Sequence, residues 1–194
     1  MGLHMSYFLL ILTIVMMVVL PADISSSEYY YRDGTKVSKS SVAHLDTAAY
    51  YLYVREATGK NDGYEVEKFL SYVGHKRGTP WCAAYVSYCL GVAGVKSVTV
   101  RSASSQAFTS QRFTPIEKFL REKRQAKPGD IFVMKTKGAP TGHVGFIYLH
   151  KGELFYTIEG NTNSGLSREG DGVYAVMRKY QPFANLRIIG IVSV

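Results

Sequence analysis

Three residues of the sequence could together carry out nucleophilic catalysis: Cys82, His143 and Glu159. A cysteine nucleophile reacts as its thiolate, and it needs a neighbouring base that a third group holds in place. Cys82 directly follows the segment Gly78–Trp81 and stands where a helix is expected to begin. The N-terminus of a helix favours a thiolate, because it presents unpaired N–H groups and a partial positive charge. Cys82 is therefore the candidate nucleophile.

The second cysteine, Cys89, lies seven residues further along the same predicted helix, which places it about 10 Å from Cys82. This separation excludes a disulfide between them, which requires Cα atoms within about 7 Å, and it also excludes a shared zinc ion. The pattern predicts that Cys89 is a small core residue. It predicts neither a metal site nor a cofactor.

Of the five histidines, His143 is the best candidate for the base. His4 belongs to the apolar N-terminus, and His44 and His75 fit solvated surface positions. His150 lies seven residues after His143 on a predicted strand, and an odd separation directs the two side chains to opposite faces. Taken alone, His143 is equally compatible with a buried structural histidine.

Glu159 ends a strand that is otherwise apolar, and Asn161 lies on the same face two residues later. If residues 150–152 form a three-residue loop, the strands pair so that His143 falls opposite Glu159. A two-residue loop would place Glu159 on the wrong face. The alternation therefore allows a Cys–His–Glu set, and the length of the loop decides whether it forms.

The elements that must position these residues are helices first and strands second, an order typical of an α+β domain with an antiparallel sheet. Apolar spacing and end signals predict helices over Ser41–Ala57, Tyr64–Val73, Thr114–Lys123 and from Cys82 to either Gly91 or Gly94. Short β-branched and aromatic runs predict strands over Asp130–Lys135, Gly142–Leu149, Leu154–Gly160, Val173–Arg178 and Leu186–Val192. The Ser- and Tyr-rich tract Ser25–Ser41 predicts a loose N-terminal arm.

The composition fits one folded domain: 194 residues, of which 46% are hydrophobic and 20% charged. These values argue against disorder, collagen and coiled coils. The net charge of +8 favours anionic partners such as nucleic acid, acidic lipid or an acidic wall polymer. Basic residues are scattered apart from the cluster Arg121–Lys127, which fits a solvated helix end, so no nucleic-acid partner is expected.

The N-terminus predicts export. Phe8–Leu20 is a run of thirteen residues interrupted only by Thr13, shorter than the roughly 20 residues that span a bilayer and long enough for the apolar region of a signal peptide. Ala22 and Ser25–Ser27 offer small residues for cleavage. We therefore expect a signal peptide over residues 1–26, with an uncleaved anchor as the alternative.

The segments around the three candidate residues, together with one more, resemble a CHAP-domain peptidoglycan hydrolase. They are Trp81–Val86, Pro128–Ile131, Gly142–Gly145 and Glu159–Asn161. The upstream segment Glu56–Gly63 is similar to a bacterial subgroup of that family. The resemblance runs from about Ala48 to Val192 and implies a papain-like fold, of the superfamily that also contains the NlpC-type cell-wall peptidases. Such a fold carries the catalytic cysteine at a helix N-terminus, packed on an antiparallel sheet.

The resemblance also implies roles for individual residues. Cys82 would be the nucleophile, His143 the base, Glu159 the group that orients the imidazole, and Asn161 an auxiliary polar group. The residues expected to contact substrate are Trp81, Tyr85, Tyr64 and Asp62. The sequence departs from the family pattern in two places. Trp81 occupies a position where many CHAP domains carry Gln, and the segment around Asp62 has too few acidic residues to resemble the calcium-binding loop of some CHAP enzymes.

The function implied is that of an exported cysteine amidase or endopeptidase, which cleaves an amide bond in peptidoglycan stem peptides through a thioester. The expected organisation is a signal peptide (1–26), an N-terminal arm with the start of the first helix (27–46) and the CHAP-like domain (47–194). The mature protein is expected to be a monomer in the periplasm, cell wall or medium, without stable membrane association. Two alternatives stay open: a non-catalytic wall-binding module, and a secreted cysteine protease or transamidase that acts on protein.

Overall fold

The computed structural model describes residues 28–163, 170–182 and 184–194, and over these ranges the chain is an α+β domain. Its α-helices are α1 (Ala43–Tyr50), α2 (Tyr64–Tyr72), α3 (Cys82–Val92) and α4 (Ile116–Arg121). None of the described helices is long and apolar enough to cross a membrane. The apolar run Phe8–Leu20, and with it the predicted signal peptide, lies outside the described residues.

The described strands form one six-stranded sheet in the order β1-β6-β2-β3-β4-β5, and every neighbouring pair is antiparallel. The strands are β1 (Phe113–Pro115), β2 (Ile131–Thr136), β3 (Gly142–Lys151), β4 (Leu154–Thr162), β5 (Gly172–Lys179) and β6 (Leu186–Val192). The predicted α+β class with an antiparallel sheet is confirmed.

The two faces of the sheet carry separate apolar cores, because successive residues of a strand point to opposite sides. One core joins helices α1, α2 and α3 to the sheet through residues such as Val144, Phe146 and Ile158. The other joins α4 to residues such as Ile147 and Phe155. The middle strands therefore read as nearly continuous apolar runs rather than as an alternation.

Two predicted helices are shorter in the structure than the apolar spacing suggested. The helix expected over Ser41–Ala57 ends at Tyr50 and continues as a 3₁₀ turn, Tyr51–Tyr53. The helix expected over Thr114–Lys123 begins only at Ile116, because the residues before it pair with β6. Strand pairing is a long-range contact, and the local sequence pattern does not report it.

The loop between β3 and β4 has two residues, not the three that the sequence argument required to bring His143 opposite Glu159. Strand pairing continues to Lys151, which lies opposite Leu154 and leaves a two-residue loop. An irregularity in β3 between Ile147 and Leu149 then shifts the register by one residue. This β-bulge reverses the effect of the shorter loop, so that His143 and Glu159 still share a face.

The N-terminal arm, predicted to be loose, packs against β3 and β4. Tyr31 is 2% exposed and its ring lies against those of Tyr148 and Tyr156, with centroids 5.7 and 5.0 Å away. Tyr148 Oη accepts a hydrogen bond from the Ser38 N–H at 2.9 Å, and Tyr156 Oη donates one to Asp33 at 2.6 Å. The tyrosines that looked like loop composition thus cover two strands of the sheet.

The turn before β2, which contains Gly129 and Asp130, forms hydrogen bonds both to helix α1 and to Val194. His44, predicted on the surface, is buried and its Nε2 donates a hydrogen bond to the Gly129 carbonyl at 3.0 Å. Burial lowers the pKa of His44. The Asp130 carboxylate accepts hydrogen bonds from the N–H groups of Lys127 (2.8 Å) and Val194 (3.2 Å). The Gly129-Asp130 pair is thus structural.

Helix α3 lies unusually close to β4, and Gly160 makes this approach possible. A Cβ atom on Gly160 would lie 2.6 Å from the Trp81 ring and 2.8 Å from the Tyr85 ring. Both aromatic side chains are fully buried in the core beneath α3. A side chain at position 160 would therefore push the N-terminus of α3 away from the sheet.

Replacement of Gly160 by alanine should destabilise the fold by about 3 kcal/mol, the upper part of the range for overpacked cores. The control is Gly138→Ala, which has no atom within 4 Å and costs only the strain of its positive φ, about 1 kcal/mol. Urea unfolding of both variants measures the difference. Equal midpoints for Gly160→Ala and the wild type would contradict the close packing.

Candidate active site

Cys82 is the first residue of α3 and borders an open cleft of about 710 Å³. Its side chain is 6% exposed, and Trp81 precedes it as the N-cap residue of the helix. The first N–H groups of an α-helix have no partner within the helix and favour a negative charge beside them. The local structure therefore puts the Cys82 side chain at the positive end of a helix, beside the cleft.

His143 lies on β3 with its side chain fully buried. Its Nε2 donates a hydrogen bond to Glu159 Oε2 at 2.8 Å, whereas the buried Nδ1 has no hydrogen-bond partner among the described residues. Burial alone would lower the pKa of His143, but interactions with Cys82 and then Glu159 outweigh it and raise the pKa to about 9. Cys82 therefore lies near enough to the ring to raise the pKa of His143, although no hydrogen bond joins the two side chains in the described structure. The imidazole is protonated at neutral pH, and Nδ1 is the nitrogen available to Cys82.

Glu159 is the fully buried centre of a hydrogen-bond network on β4. Arg178, from β5, donates to both of its oxygens: Nε to Oε1 at 2.9 Å and Nη2 to Oε2 at 2.6 Å. Thr157 Oγ1 also donates to Oε1. Burial would raise the pKa of Glu159, but Arg178 and His143 lower it well below its usual range. The carboxylate is therefore ionised and held in one orientation.

The room for this carboxylate comes from Gly145, the residue of β3 next to it. A Cβ atom on Gly145 would lie 2.8 Å from Glu159 Cγ. His143 stands two residues before Gly145 and so points to the same face of the sheet. The Gly-His-Val-Gly segment thus supplies both the imidazole and the space for its partner.

Asn161 lines the cleft and adopts a left-handed backbone conformation, with φ +53°. Its Nδ2 donates a hydrogen bond to Asn61 Oδ1 at 3.0 Å. Asn61 lines the same cleft, also with a positive φ of +54°. The loop before α2 and the end of β4 are thereby joined at the edge of the cleft.

Glu56 connects this loop to the start of α3. Its Oε1 accepts a hydrogen bond from Trp81 Nε1 and its Oε2 accepts one from the Asn61 N–H, both at 2.8 Å. Sequence reasoning did not assign a role to Glu56 or Asn61, although both belong to the segment Glu56–Gly63 that carried the family resemblance. It also missed Arg178, whose only signal is a charge at the end of an apolar strand.

The structure brings Cys82, His143 and Glu159 together and puts Asn161 at the same cleft. The four residues expected to contact substrate are not among those that line the cleft in the described structure. Trp81 and Tyr85 are fully buried, and Tyr85 Oη donates to the Ala48 carbonyl at 2.7 Å. Tyr64 is 82% exposed at the start of α2, and Asp62 accepts hydrogen bonds from the Thr58 N–H and Oγ1. Trp81 and Tyr85 are therefore core residues, whereas contact of Tyr64 and Asp62 with substrate stays a prediction.

The residues that do line the cleft are small or polar apart from Pro80 and Pro140: Glu56, Gly59, Asn61, Thr79, Pro80, Cys82, Ala103, Ser104, Ser105, Pro140, Thr141, Gly142, Asn161, Asn163, Gly170 and Asp171. In the described part of the chain, no group of three or more His, Cys, Asp and Glu side chains is placed to hold a metal ion. The chemistry that the site offers is that of a thiol nucleophile beside an oriented imidazole.

Replacement of Glu56 by glutamine should destabilise the protein by about 1–3 kcal/mol, because the amide accepts from only one of the two N–H donors and leaves the other unpaired. Chemical denaturation measures the effect. The control is Glu153→Gln, which removes an exposed carboxylate paired with Lys179 and should unfold at the wild-type denaturant concentration, because exposed ion pairs contribute little to stability. If the two variants unfold at the same denaturant concentration, Glu56 does not secure the start of α3.

Comparison with known sequences agrees with this geometry. Residues 74–161 match the sequence model of the CHAP domain, a range that contains Cys82, His143 and Glu159 and ends at Asn161. No curated protein matches the chain. The match supports a CHAP domain over residues 74–161, and this domain implies amidase or peptidase activity on peptidoglycan in general.

Proposed function

We propose that the chain is an exported cysteine amidase or endopeptidase that cleaves an amide bond of peptidoglycan stem peptides. The observation that carries the proposal is the arrangement at the cleft: the Cys82 thiol begins a helix beside a protonated imidazole, which a buried carboxylate holds through its far nitrogen. These are the parts that thiol-based acyl transfer requires.

In the proposed mechanism, the Cys82 thiolate attacks the carbonyl carbon of the scissile amide and forms a C–S bond. The oxygen becomes an oxyanion, which the unpaired Cys82 backbone N–H at the start of α3 helps to stabilise. His143 then gives its Nδ1 proton to the amide nitrogen, and the C–N bond breaks. The amine leaves, and the acyl group remains on Cys82 as a thioester. Neutral His143 next takes a proton from water, whose oxygen attacks the thioester carbonyl and forms a second oxyanion. This oxyanion collapses and the C–S bond breaks, so that the carboxylic acid leaves and the Cys82 thiolate and protonated His143 are restored.

Glu159 supports both half-reactions without touching the substrate. Its bond to Nε2 leaves Nδ1 as the nitrogen that exchanges protons with Cys82, the leaving amine and water. Its negative charge also stabilises the imidazolium that forms in each cycle.

The open cleft suits an extended peptide rather than a small apolar ligand. Its polar side chains, among them Ser104, Thr141, Asn161 and Asn163, offer hydrogen-bond partners for peptide groups on both sides of Cys82. The same residues would serve an amidase, which cuts the lactyl–L-alanine amide, and an endopeptidase, which cuts within the stem or the cross-bridge.

Export is part of the proposal and rests on the apolar run Phe8–Leu20 and on the wall substrate that the CHAP domain implies. We take residues 1–26 as the signal peptide and 47–194 as the catalytic domain. The positive net charge would add a general attraction to an anionic wall polymer.

Digestion of purified peptidoglycan, with mass spectrometry of the fragments, tests the reaction and names the bond. Wild-type protein should release new termini, and Cys82→Ala should lower the rate by more than about 10³-fold because the nucleophile is lost. Cys89→Ala is the matched control, since Cys89 is fully buried in the core and burial raises the pKa of its thiol. It should retain activity.

If Cys82→Ala releases new peptidoglycan termini at the wild-type rate, the thiol mechanism is wrong. Intact peptidoglycan from several wall types, bound equally by the wild type and Cys82→Ala, would instead favour a non-catalytic wall-binding module. Cleavage of protein substrates alone would favour a secreted protease.

The pKa of His143, raised from 6.5 to about 9, predicts where activity falls at high pH. kcat/KM should decline as the pH rises through about 9, because neutral His143 has no proton for the leaving amine. The raised pKa also stabilises the fold fully below pH 6.5, and this contribution is lost as the pH rises through about 9. A pH–rate profile and an NMR titration of the His143 ring measure both effects. A ring that titrates near 6.5 would contradict the proposed ion pair.

A further inference from the structure

We propose that Arg178 is a positioning residue of this site: its guanidinium keeps Glu159 an aligned carboxylate and thereby keeps the Cys82–His143 pair in its ionised form. The inference rests on the proposed function in one respect, the assignment of Cys82 as the nucleophile. Arg178 lies on β5, beyond the residues that match the CHAP domain.

The geometry of the contact supports an aligning role. Nε and Nη2 of Arg178 reach the two oxygens of Glu159, at 2.9 and 2.6 Å. Such a two-point contact fixes the plane of the carboxylate as well as its position. Oε2 also accepts the hydrogen bond from His143 Nε2, so rotation of the carboxylate would break the contacts with both partners. Lysine has no planar fork and could not fix the plane in this way.

The electrostatics support a second role. Glu159 is fully buried and Arg178 nearly so, and a buried carboxylate without sufficient counter-charge takes up a proton. With Arg178, the ionised forms of Cys82, His143, Glu159 and Arg178 carry two negative and two positive charges. Without Arg178, the same site carries a net negative charge. The proton of His143 would then be drawn to Glu159, and Cys82 would lose the imidazolium that stabilises its thiolate.

The other groups that face Glu159 in the described structure do not supply a positive charge. Thr157 Oγ1 donates a neutral hydrogen bond to it, and Thr162 Oγ1 lies 3.4 Å from Nη2 of Arg178. Tyr31, from the N-terminal arm, interacts electrostatically with Glu159, and its pKa is raised by burial, so its phenol stays uncharged. Among the described residues, the cations in contact with Glu159 are His143 and Arg178.

The test is the rate at which iodoacetamide alkylates Cys82 in the full chain between pH 5 and pH 9, followed by intact mass. The reagent consumes the thiolate and needs no peptidoglycan. Cys82→Ala gives the background from Cys89. Arg178→Met should lower the alkylation rate at pH 6 by at least about tenfold, the effect of one pKa unit, and the difference should shrink towards pH 9.

The matched control is Lys179→Met, which removes the same charge from the next residue of β5. Lys179 is exposed and pairs with Glu153 at 2.7 Å on the surface, so this variant should alkylate at the wild-type rate. A folded Arg178→Met variant with an unchanged or faster rate at pH 6 would overturn the proposal. If Arg178→Met does not fold, Arg178→Gln is the second neutral variant, since its amide can still hydrogen-bond to Glu159.

Arg178→Lys separates alignment from charge. It should alkylate within about threefold of the wild type, well under the tenfold of one pKa unit, because the charge remains. It should hydrolyse peptidoglycan about tenfold more slowly, because the fork that aligns Glu159 and His143 is lost. Hydrolysis at the wild-type rate would overturn the aligning role.

The two proposals fail separately. If wild-type protein digests no peptidoglycan but the Arg178 variants change the alkylation profile as described, the proposed function fails and the role of Arg178 stands. If the wild type digests peptidoglycan and the profile does not change, the function stands and the role of Arg178 fails.

Discussion

The site depends on one constraint, which is that the Glu159 carboxylate must be charged although it is fully buried. A buried charge is costly unless partners on several sides compensate for it. Here the imidazole comes from β3, the guanidinium from β5 and a hydroxyl from Thr157, two residues earlier on β4. Three neighbouring strands therefore have to meet in one register, and the bulge in β3 belongs to that requirement.

The aromatic residues around Cys82 hold the helix rather than the substrate. Trp81 and Tyr85 pack on Gly160, and the indole N–H of Trp81 is anchored by Glu56. An aromatic residue beside a nucleophile suggests a wall of the binding cleft, but the cleft is lined by short polar side chains. The large rings instead fix how closely the start of α3 approaches the sheet.

Local patterns in the sequence predicted the helix that begins at Cys82, the main strands and the candidate set of Cys82, His143 and Glu159. They could not predict contacts between distant segments. The bulge at Tyr148 has no local signature, and the pairing of β1 with β6 joins residues far apart in the chain. The role of Arg178 was missed for the same reason. A charged residue at the end of a strand is common, and only the folded sheet shows that this one contacts Glu159.

The range that matches the CHAP domain, residues 74–161, is smaller than the unit that must fold together. Helices α1 and α2 contribute to the core beneath α3, and β6 lies between β1 and β2. Strand β5, which covers the free edge of β4, also lies outside the match. A fragment cut at the limits of the match would expose two sheet edges and lose part of the main core, and exposed edges of this kind pair with other chains. Division of this protein for expression or domain exchange should therefore keep the arm from residue 28 and the last two strands.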